Sequence, residues 1–390
     1  MTQAYQQLTA TFTRLHHMEH LQAMASWDMM TMMPAAGGKA RSEALAELDL
    51  YRHALLTDKR VENLLQNAKE ESLDEIQRIN LLEMERTWQK SALLPAALVE
   101  AKTLAGARCE QAWRQQRPAN DWRGFAENLR EVVTLSREEA RIYADAFGCS
   151  AYDALLTHYE PGMTSATLDS LFQEIKTWLP GLIKAVTEKQ ARQSVVIAEG
   201  PFAIEAQKKL SIGVMSLLNF DFNAGRLDVS AHPFCGGVPD DVRITTRYKS
   251  DDLISAMMGV IHETGHARYE QNLPKQWSTQ PLGKARSTAI HESQSLFFEK
   301  QLGRSEAFLS LVSPLVCEHF GQHSAWETVN FTALNQRVQP GLIRVDADEV
   351  SYPAHIIVRY EIEKALIEGD IEVEDIPRVM AGKNVHLAGY

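Results

Sequence analysis

Cysteine is scarce in this sequence. Its 390 residues hold four, Cys109, Cys149, Cys235 and Cys317, scattered and with no C-x-x-C pair. That argues against a disulfide framework and against a structural zinc site, which is more often built from cysteines. Basic residues are outnumbered. A net charge of −11 argues against nucleic acid as a general partner, which would favour a basic patch. No apolar run approaches the roughly 18 residues of a membrane span. The stretch Met1 to Arg14 lacks the apolar core of a secretory signal. There is no internal repeat and no low-complexity linker. These absences predict a soluble cytoplasmic protein with reduced thiols, touching neither membrane nor nucleic acid. What is present, 45% hydrophobic residues over 390 positions, suffices for a large core and exceeds one small domain.

The most informative stretch is Asp251 to His266, which reads as one helix carrying the pattern H-E-x-x-H. A helix turns about 100° per residue, so positions i and i+4 stack on one face. His262 and His266 can therefore present two imidazoles to one divalent cation. Glu263, slightly to the side, can take a proton from water that the metal activates. Random sequence of average composition gives this pattern in roughly one chain per hundred of this size. A second stretch, His291-Glu292-Ser293-Gln294-Ser295, adds to it. Glu292 lies 26 residues beyond His266, enough for a loop and a return on the next helix. Two histidines and a glutamate with an open fourth position form a catalytic zinc pattern.

Taken in order, the chain predicts an amphipathic helix over Thr2 to Ala25, then Trp27 to Pro34, stopped by the proline and the Gly37-Gly38 pair. The methionines of that stretch read as core packing. A helix follows from Arg41 to Leu56. Asp58 to Phe147 predicts three or four long helices, with breaks near Ser72, Leu94-Pro95 and Pro118 to Asp121. Further helices are expected over Asp153 to Tyr159, Leu168 to Gln190 (capped by Thr164 or Ser165) and Ile204 to Leu218. Leu227 to Ser230 and Val242 to Tyr248 alternate in the strand manner, predicting a small antiparallel sheet directly before the metal helix. A sheet edge there could receive an extended peptide. His232, between the strands, is either a substrate hydrogen-bond donor or a satisfied buried histidine. Helices are expected over Arg286 to Leu302, Glu306 to Phe320, Trp326 to Gln336, and from Ser351-Pro353 through Glu368. Arg344 is either a surface ion pair or a receptor for a terminal carboxylate, which guanidinium fits bidentately.

Five stretches in order resemble the carboxypeptidase Taq family of metallocarboxypeptidases: His232-Pro233-Phe234, Asp241-Val242-Arg243-Ile244-Thr245, His262-Glu263-Thr264-Gly265-His266, His291-Glu292-Ser293-Gln294, and Ile343-Arg344-Val345-Asp346-Ala347-Asp348. The stretch Trp27-Asp28…Thr31…Met33-Pro34 is similar to that family as well. The resemblance implies a mainly α, large helical metallopeptidase fold with a deep cleft and a small β-sheet next to the H-E-x-x-H helix. It implies a cytoplasmic homodimer that removes single C-terminal residues from peptides with broad preference, using Zn2+ or, in some members, Co2+. Carried over by motif, His262, His266 and Glu292 bind metal, Glu263 is the base, Arg344 takes the substrate carboxylate, and His232 and Arg243 line the substrate side. One domain over 1–379 is expected, with an N-terminal helical region over 1–218, a sheet over 225–250, metal-site helices over 251–302 and C-terminal helices over 303–376.

Residues 380–390 depart from the family, whose members continue with further helices and a Gly/Tyr/Phe/Pro-rich stretch. Read one base over, Met380-Ala381 (ATG-GCN) yields tryptophan, and the shifted text can approach the family's W-x-E-K-M…L-G. A frameshift is one explanation. The expectations that follow are a loosely ordered tail, an exposed apolar patch and weak or absent activity. Two rival functions stand beside the exopeptidase: an oligopeptidase that cuts internally, and an inactive metal- or peptide-binding truncation product.

Overall fold

A computed structural model describes residues 3–230, 232–344 and 347–388. The first helix, α1 (Gln3–Thr31), runs past Ala25 because nothing before Pro34 breaks it. Trp27 is buried in its last turns, but Met29, Met30 and Met32 are exposed, which corrects the reading of those methionines as core. Their positions fall on the outward face once the helix continues through them.

Next come α2 (Gly38–Thr57), α3 (Lys59–Lys69), α4 (Glu75–Leu93), α5 (Ala96–Gln116) and α6 (Trp122–Phe147). The stretch after Asp58 therefore yields four helices, broken where the sequence breaks. Asp58 caps α3 and Asp121 caps α6 through side-chain oxygens. Gly148, at φ 66°, ends α6 in the left-handed conformation that glycine adopts readily. Then follow α7 (Ala151–Leu156), α8 (Ser165–Gln190, capped by Thr164) and α9 (Ile204–Leu217).

The sheet comprises β1 (Gly225–Val229), β2 (Cys235–Val238) and β3 (Asp241–Thr246) in the order β1-β3-β2. It is mixed, where an antiparallel sheet was expected. β1 runs parallel to β3, pairing Leu227 with Ile244, and only β2 runs antiparallel, pairing Gly236 with Arg243. Residue alternation shows that a strand exists but not its direction. The glycine pair in Cys235–Val238 concealed β2, which returns into β3 through a tight turn at Pro239-Asp240.

After the sheet come α10 (Leu253–Gln271) and α11 (Thr288–Leu296), which continues as a π-helical stretch, Phe297–Leu302. The last helices are α12 (Glu306–Phe320), α13 (Thr328–Asn335), α14 (Tyr352–Glu368) and α15 (Ile376–Ala388). The loosely ordered tail is corrected as far as Ala388. Ala381 and Lys383 favour helix, and Gly382 alone, at a cost of about 1 kcal/mol, does not break it.

Two compact units share the chain, Met1–Ser91 with Val195–Gln336, and Ala92–Ser194 with Arg337–Tyr390. In the first, one core joins Leu210 and Val214 of α9, Met257 and Ile261 of α10, Leu309 and Val312 of α12 and Phe331 of α13. A second joins α1, α3 and α4 around Leu8, Leu65 and Met84. A third sets Val242 and Ile244 of β3 against Val260 and Ala267 of α10. The second unit packs Ala126 and Val133 of α6, Leu179 and Ile183 of α8, and Ile357, Val358 and Ile362 of α14. Each large side chain so buried contributes roughly 1.5–3 kcal/mol relative to exposure.

Candidate metal centre

Helix α10 is fixed on three sides. Asp252 caps its start, accepting from the Ser255 amide at 2.9 Å. Met257, Met258 and Ile261 point into the core with α9 and α12, while Val260 and Ala267 lie on the sheet. The third side meets α11 at Gly265. A Cβ at Gly265 would stand 2.6 Å from the Ser295 Cα and 2.8 Å from the Gln294 carbonyl oxygen. The two backbones touch there because residue 265 has no side chain. That close approach brings Glu292 across to the histidine face.

His262, His266 and Glu292 each offer a donor atom, and these atoms lie within 4.8 Å of one another. His262 Nε2 is 3.9 Å from Glu292 Oε1, and His266 Nε2 is 3.3 Å from Glu292 Oε2. The far nitrogens are already committed. His262 Nδ1 meets Glu299 Oε2 at 2.9 Å. His266 Nδ1 meets His291 Nδ1 at 2.7 Å, and His291 Nε2 meets Glu270 Oε1 at 2.7 Å.

Glu263 points inward beside this cluster, 6% exposed. Its Oε2 is buried and has no hydrogen-bond partner among the described residues. Burial, with the nearby charges of Glu292 and Glu299 adding to it and His262 opposing, pushes its carboxyl up to about 7. Burial acts the same way on Glu299, but the His262 hydrogen bond and the Lys300 ammonium at 2.6 Å outweigh it and hold that carboxyl down to about 2. Glu299 in turn raises His262 against the lowering effect of burial. Burial lowers His266, with Glu292 opposing.

These residues fit a divalent cation. The donor set is two imidazole nitrogens and one carboxylate, and the committed Nδ1 atoms leave both Nε2 atoms on the Glu292 side. The Glu263 oxygen adds a buried acceptor that no described residue satisfies.

The substrate-side candidates are placed as follows. Arg243, half-buried in β3, donates from Nε and Nη2 to the two oxygens of Asp241, both at 2.8 Å. His232 is exposed, against the alternative of a buried histidine, and its backbone carbonyl accepts from Ser230 Oγ. Arg344 belongs to the second unit, half-buried, with Nη1 at 3.3 Å from Tyr352 Oη. Val345 and Asp346 of the same motif lie outside the described residues. Asp348, buried, accepts from the Val350 and Ser351 amides at 2.9 Å and holds the start of α14. Trp27 Nε1 donates to Asp228 Oδ2 at 2.8 Å and its ring packs on Phe234, tying α1 to the sheet.

Three functional features escaped the sequence reading: Glu299, the Glu270–His291 pair, and Gly265. Glu270 was in principle visible, four residues beyond His266 and so on its face. Glu299 was not, because its line to His262 runs through a π-helical stretch that shifts the angular phase.

The chain is similar to known metallopeptidases. The family model for carboxypeptidase Taq (M32) metallopeptidases matches residues 7–387. The chain is similar to thermostable carboxypeptidase 1 of Thermus thermophilus, 37% identical over 97% of this chain and 77% of that one. It is also similar to carboxypeptidase 1 of Bacillus subtilis, at 33% over 93% of this chain and 73% of that one. Among solved structures, metallocarboxypeptidase 1 of Trypanosoma cruzi superposes with a TM-score of 0.96 at 44% identity, covering all of this chain (100%) and 79% of that one.

Proposed function

The chain belongs to the carboxypeptidase Taq (M32) family of metallopeptidases, and we propose that His262, His266 and Glu292 hold its divalent metal with Glu263 as the general base. It is a metallocarboxypeptidase, a peptide hydrolase. The observation that carries the site assignment is the set of three donor atoms within 4.8 Å of one another, beside the buried oxygen of Glu263 that no described residue satisfies. Zinc, with cobalt as an alternative, suits two imidazoles and a carboxylate better than magnesium does, which prefers an all-oxygen octahedron.

A divalent ion there supplies Lewis acidity towards water and a carbonyl oxygen. Glu263 takes the proton of the attacking water at Oε2 and returns it to the leaving amine. Burial raises its carboxyl in the metal-free chain, which strengthens it as a proton acceptor. Arg344 pairs with the terminal carboxylate of the peptide, and Tyr352, already at 3.3 Å, steadies the guanidinium. His232 and Arg243 line the substrate side, as in the family motifs. Substrates are peptides, trimmed one residue at a time with broad side-chain preference.

The family resemblance also supports a homodimer, and residues 1–379 as one catalytic domain. The free thiols support a cytoplasmic location. No described helix is long and apolar enough to cross a membrane.

The test is turnover of blocked dipeptides, as free acids and as amides, by the zinc- or cobalt-loaded chain and its Glu292→Ala variant. Free acids should be cut, amides should not, and Glu292→Ala should lose the metal. Equal cutting of amides would identify an internal peptidase. Undiminished zinc affinity in Glu292→Ala would remove that residue from the ligand set.

A further inference from the structure

The two histidines of α10 are supported in different ways. His262 meets a carboxylate directly, Glu299 at 2.9 Å. His266 meets another imidazole, and only beyond that ring is there a carboxylate, Glu270. Glu270 follows His266 by four residues on the same helix face, just over one turn or about 6 Å along the axis. His291, reaching over from α11, spans that turn with its two ring nitrogens, one to each residue. Its ring is held in place by Tyr269, edge-on at 5.0 Å between centroids, and by His266 at 4.7 Å.

The hydrogen positions along this chain follow from its end. An ionised carboxylate only accepts, so Glu270 takes the Nε2–H of His291. A neutral His291 then has a lone pair at Nδ1. The His266 Nδ1, 2.7 Å away, must supply the hydrogen between them. His266 is left with its lone pair at Nε2, the nitrogen 3.3 Å from Glu292. Without Glu270, nothing among the named contacts sets which nitrogen of His291 carries its hydrogen, and the tautomer of His266 is free to invert.

We propose that Glu270 is a positioning residue, acting through His291 to hold His266 with its Nε2 lone pair facing the metal site. The inference rests on His266 being a ligand, as proposed above. Successive residues of α11 then do two jobs: Glu292 closes the cluster, while His291, about 100° round the helix, supports the histidine opposite. In the sequence the device reads H-E-x-x-H-x-x-x-E followed by H-E.

The experiment has two readouts on the intact chain. Histidine-selective 15N labelling of the metal-free protein shows which ring nitrogen of His266 carries hydrogen. Competition against a chromophoric chelator gives the zinc dissociation constant. In the parent, His266 Nδ1 should be the protonated nitrogen. In Glu270→Ala that preference should be lost, and zinc should bind roughly 10–100-fold more weakly, the usual effect of removing such support. Glu270→Gln keeps an acceptor of the same shape and should recover most of the affinity. An unprotonated Nδ1 in the parent, an unchanged zinc affinity in Glu270→Ala, or a Gln variant as weak as the Ala variant would each overturn the proposal. His266→Ala separates the two levels. If it binds zinc as tightly as the parent, the ligand assignment itself has failed; if it loses zinc while Glu270→Ala does not, only the positioning role has.

Discussion

Helices α6 and α10 differ in how they are held, and the difference bears on why the proposed metal site lies on α10. α6 fully buries only Ala126, Val133, Ala140 and Tyr143, a single stripe at helical spacing, and its other residues are half-buried or exposed. α10 buries Ala256, Met257, Met258, Val260, Ile261, Glu263, Thr264, Gly265 and Ala267, residues that point in nearly every direction. A helix with one buried stripe can rotate or shift slightly at small cost. A helix packed on two cores and against the α11 backbone cannot, and donor atoms need that fixity. The cost appears in the same stretch, where Glu263 is enclosed with an oxygen that has no partner among the described residues.

The contrast can be broken most severely at Glu263. Glu263→Gln keeps shape and helix propensity but cannot accept the proton. Turnover should fall by roughly two orders of magnitude or more while metal content is unchanged. Burial raises this carboxyl, so its ionised form opposes folding, and the neutral amide should leave the melting temperature of the metal-free chain no lower. Parallel loss of metal and activity would make Glu263 structural instead.

The next largest effect tests the fixity directly, with one substitution made in two places. Gly265→Ala would set a methyl group 2.6 Å from the Ser295 Cα, a backbone atom that cannot swing aside. Forcing α10 and α11 apart should cost about 1–3 kcal/mol and weaken zinc binding, since Glu292 rides on α11. Gly106→Ala in α5 meets no atom within 4 Å. There the alanine should stabilise by roughly 0.5–1 kcal/mol, through helix propensity and lost freedom of the unfolded chain. Urea midpoints of the two variants should move in opposite directions. A shared direction would mean that α10 is no more confined than α5.

The same distinction governs what could be read from the sequence. The four helices from Asp58 to Phe147 were legible because each has caps or breakers and one buried stripe. That His262, His266 and Glu292 come together was legible because the i, i+4 spacing follows the helical period whatever else the helix touches. Glu299, His291 and Gly265 were not, since their roles depend on how closely α11 approaches α10 and on a π-helical stretch that local pattern does not announce. The exposed Met29, Met30 and Met32 mislead for the opposite reason. Their composition suggests a core, and only the continued run of α1 turns them outward. The direction of β1 lies beyond alternation altogether, because parallel and antiparallel neighbours share one residue period.

The smallest effect belongs to the second unit, where charges hold helices that need less exactness. Glu361 of α14 lies 2.7 Å from Lys176 of α8 and also pairs with Lys383 of α15. Burial would raise its carboxyl, but the two ammonium groups outweigh it and hold the group below its ordinary 4.5. A carboxyl depressed in the folded state stabilises above its unfolded pKa, and that contribution fades as pH falls through the folded value. Glu361→Gln should therefore lower stability near neutral pH by roughly 0.2–1 kcal/mol, the range for partly exposed pairs. The gap between parent and variant should close progressively as pH drops below 4.5. High salt should narrow it as well, because Lys176, Lys383 and Glu361 all retain solvent contact. Urea melts of both proteins across that range read the gap directly. A difference that persists unchanged in acid would show that the side chain acts by packing, in the manner of α10, and not by charge.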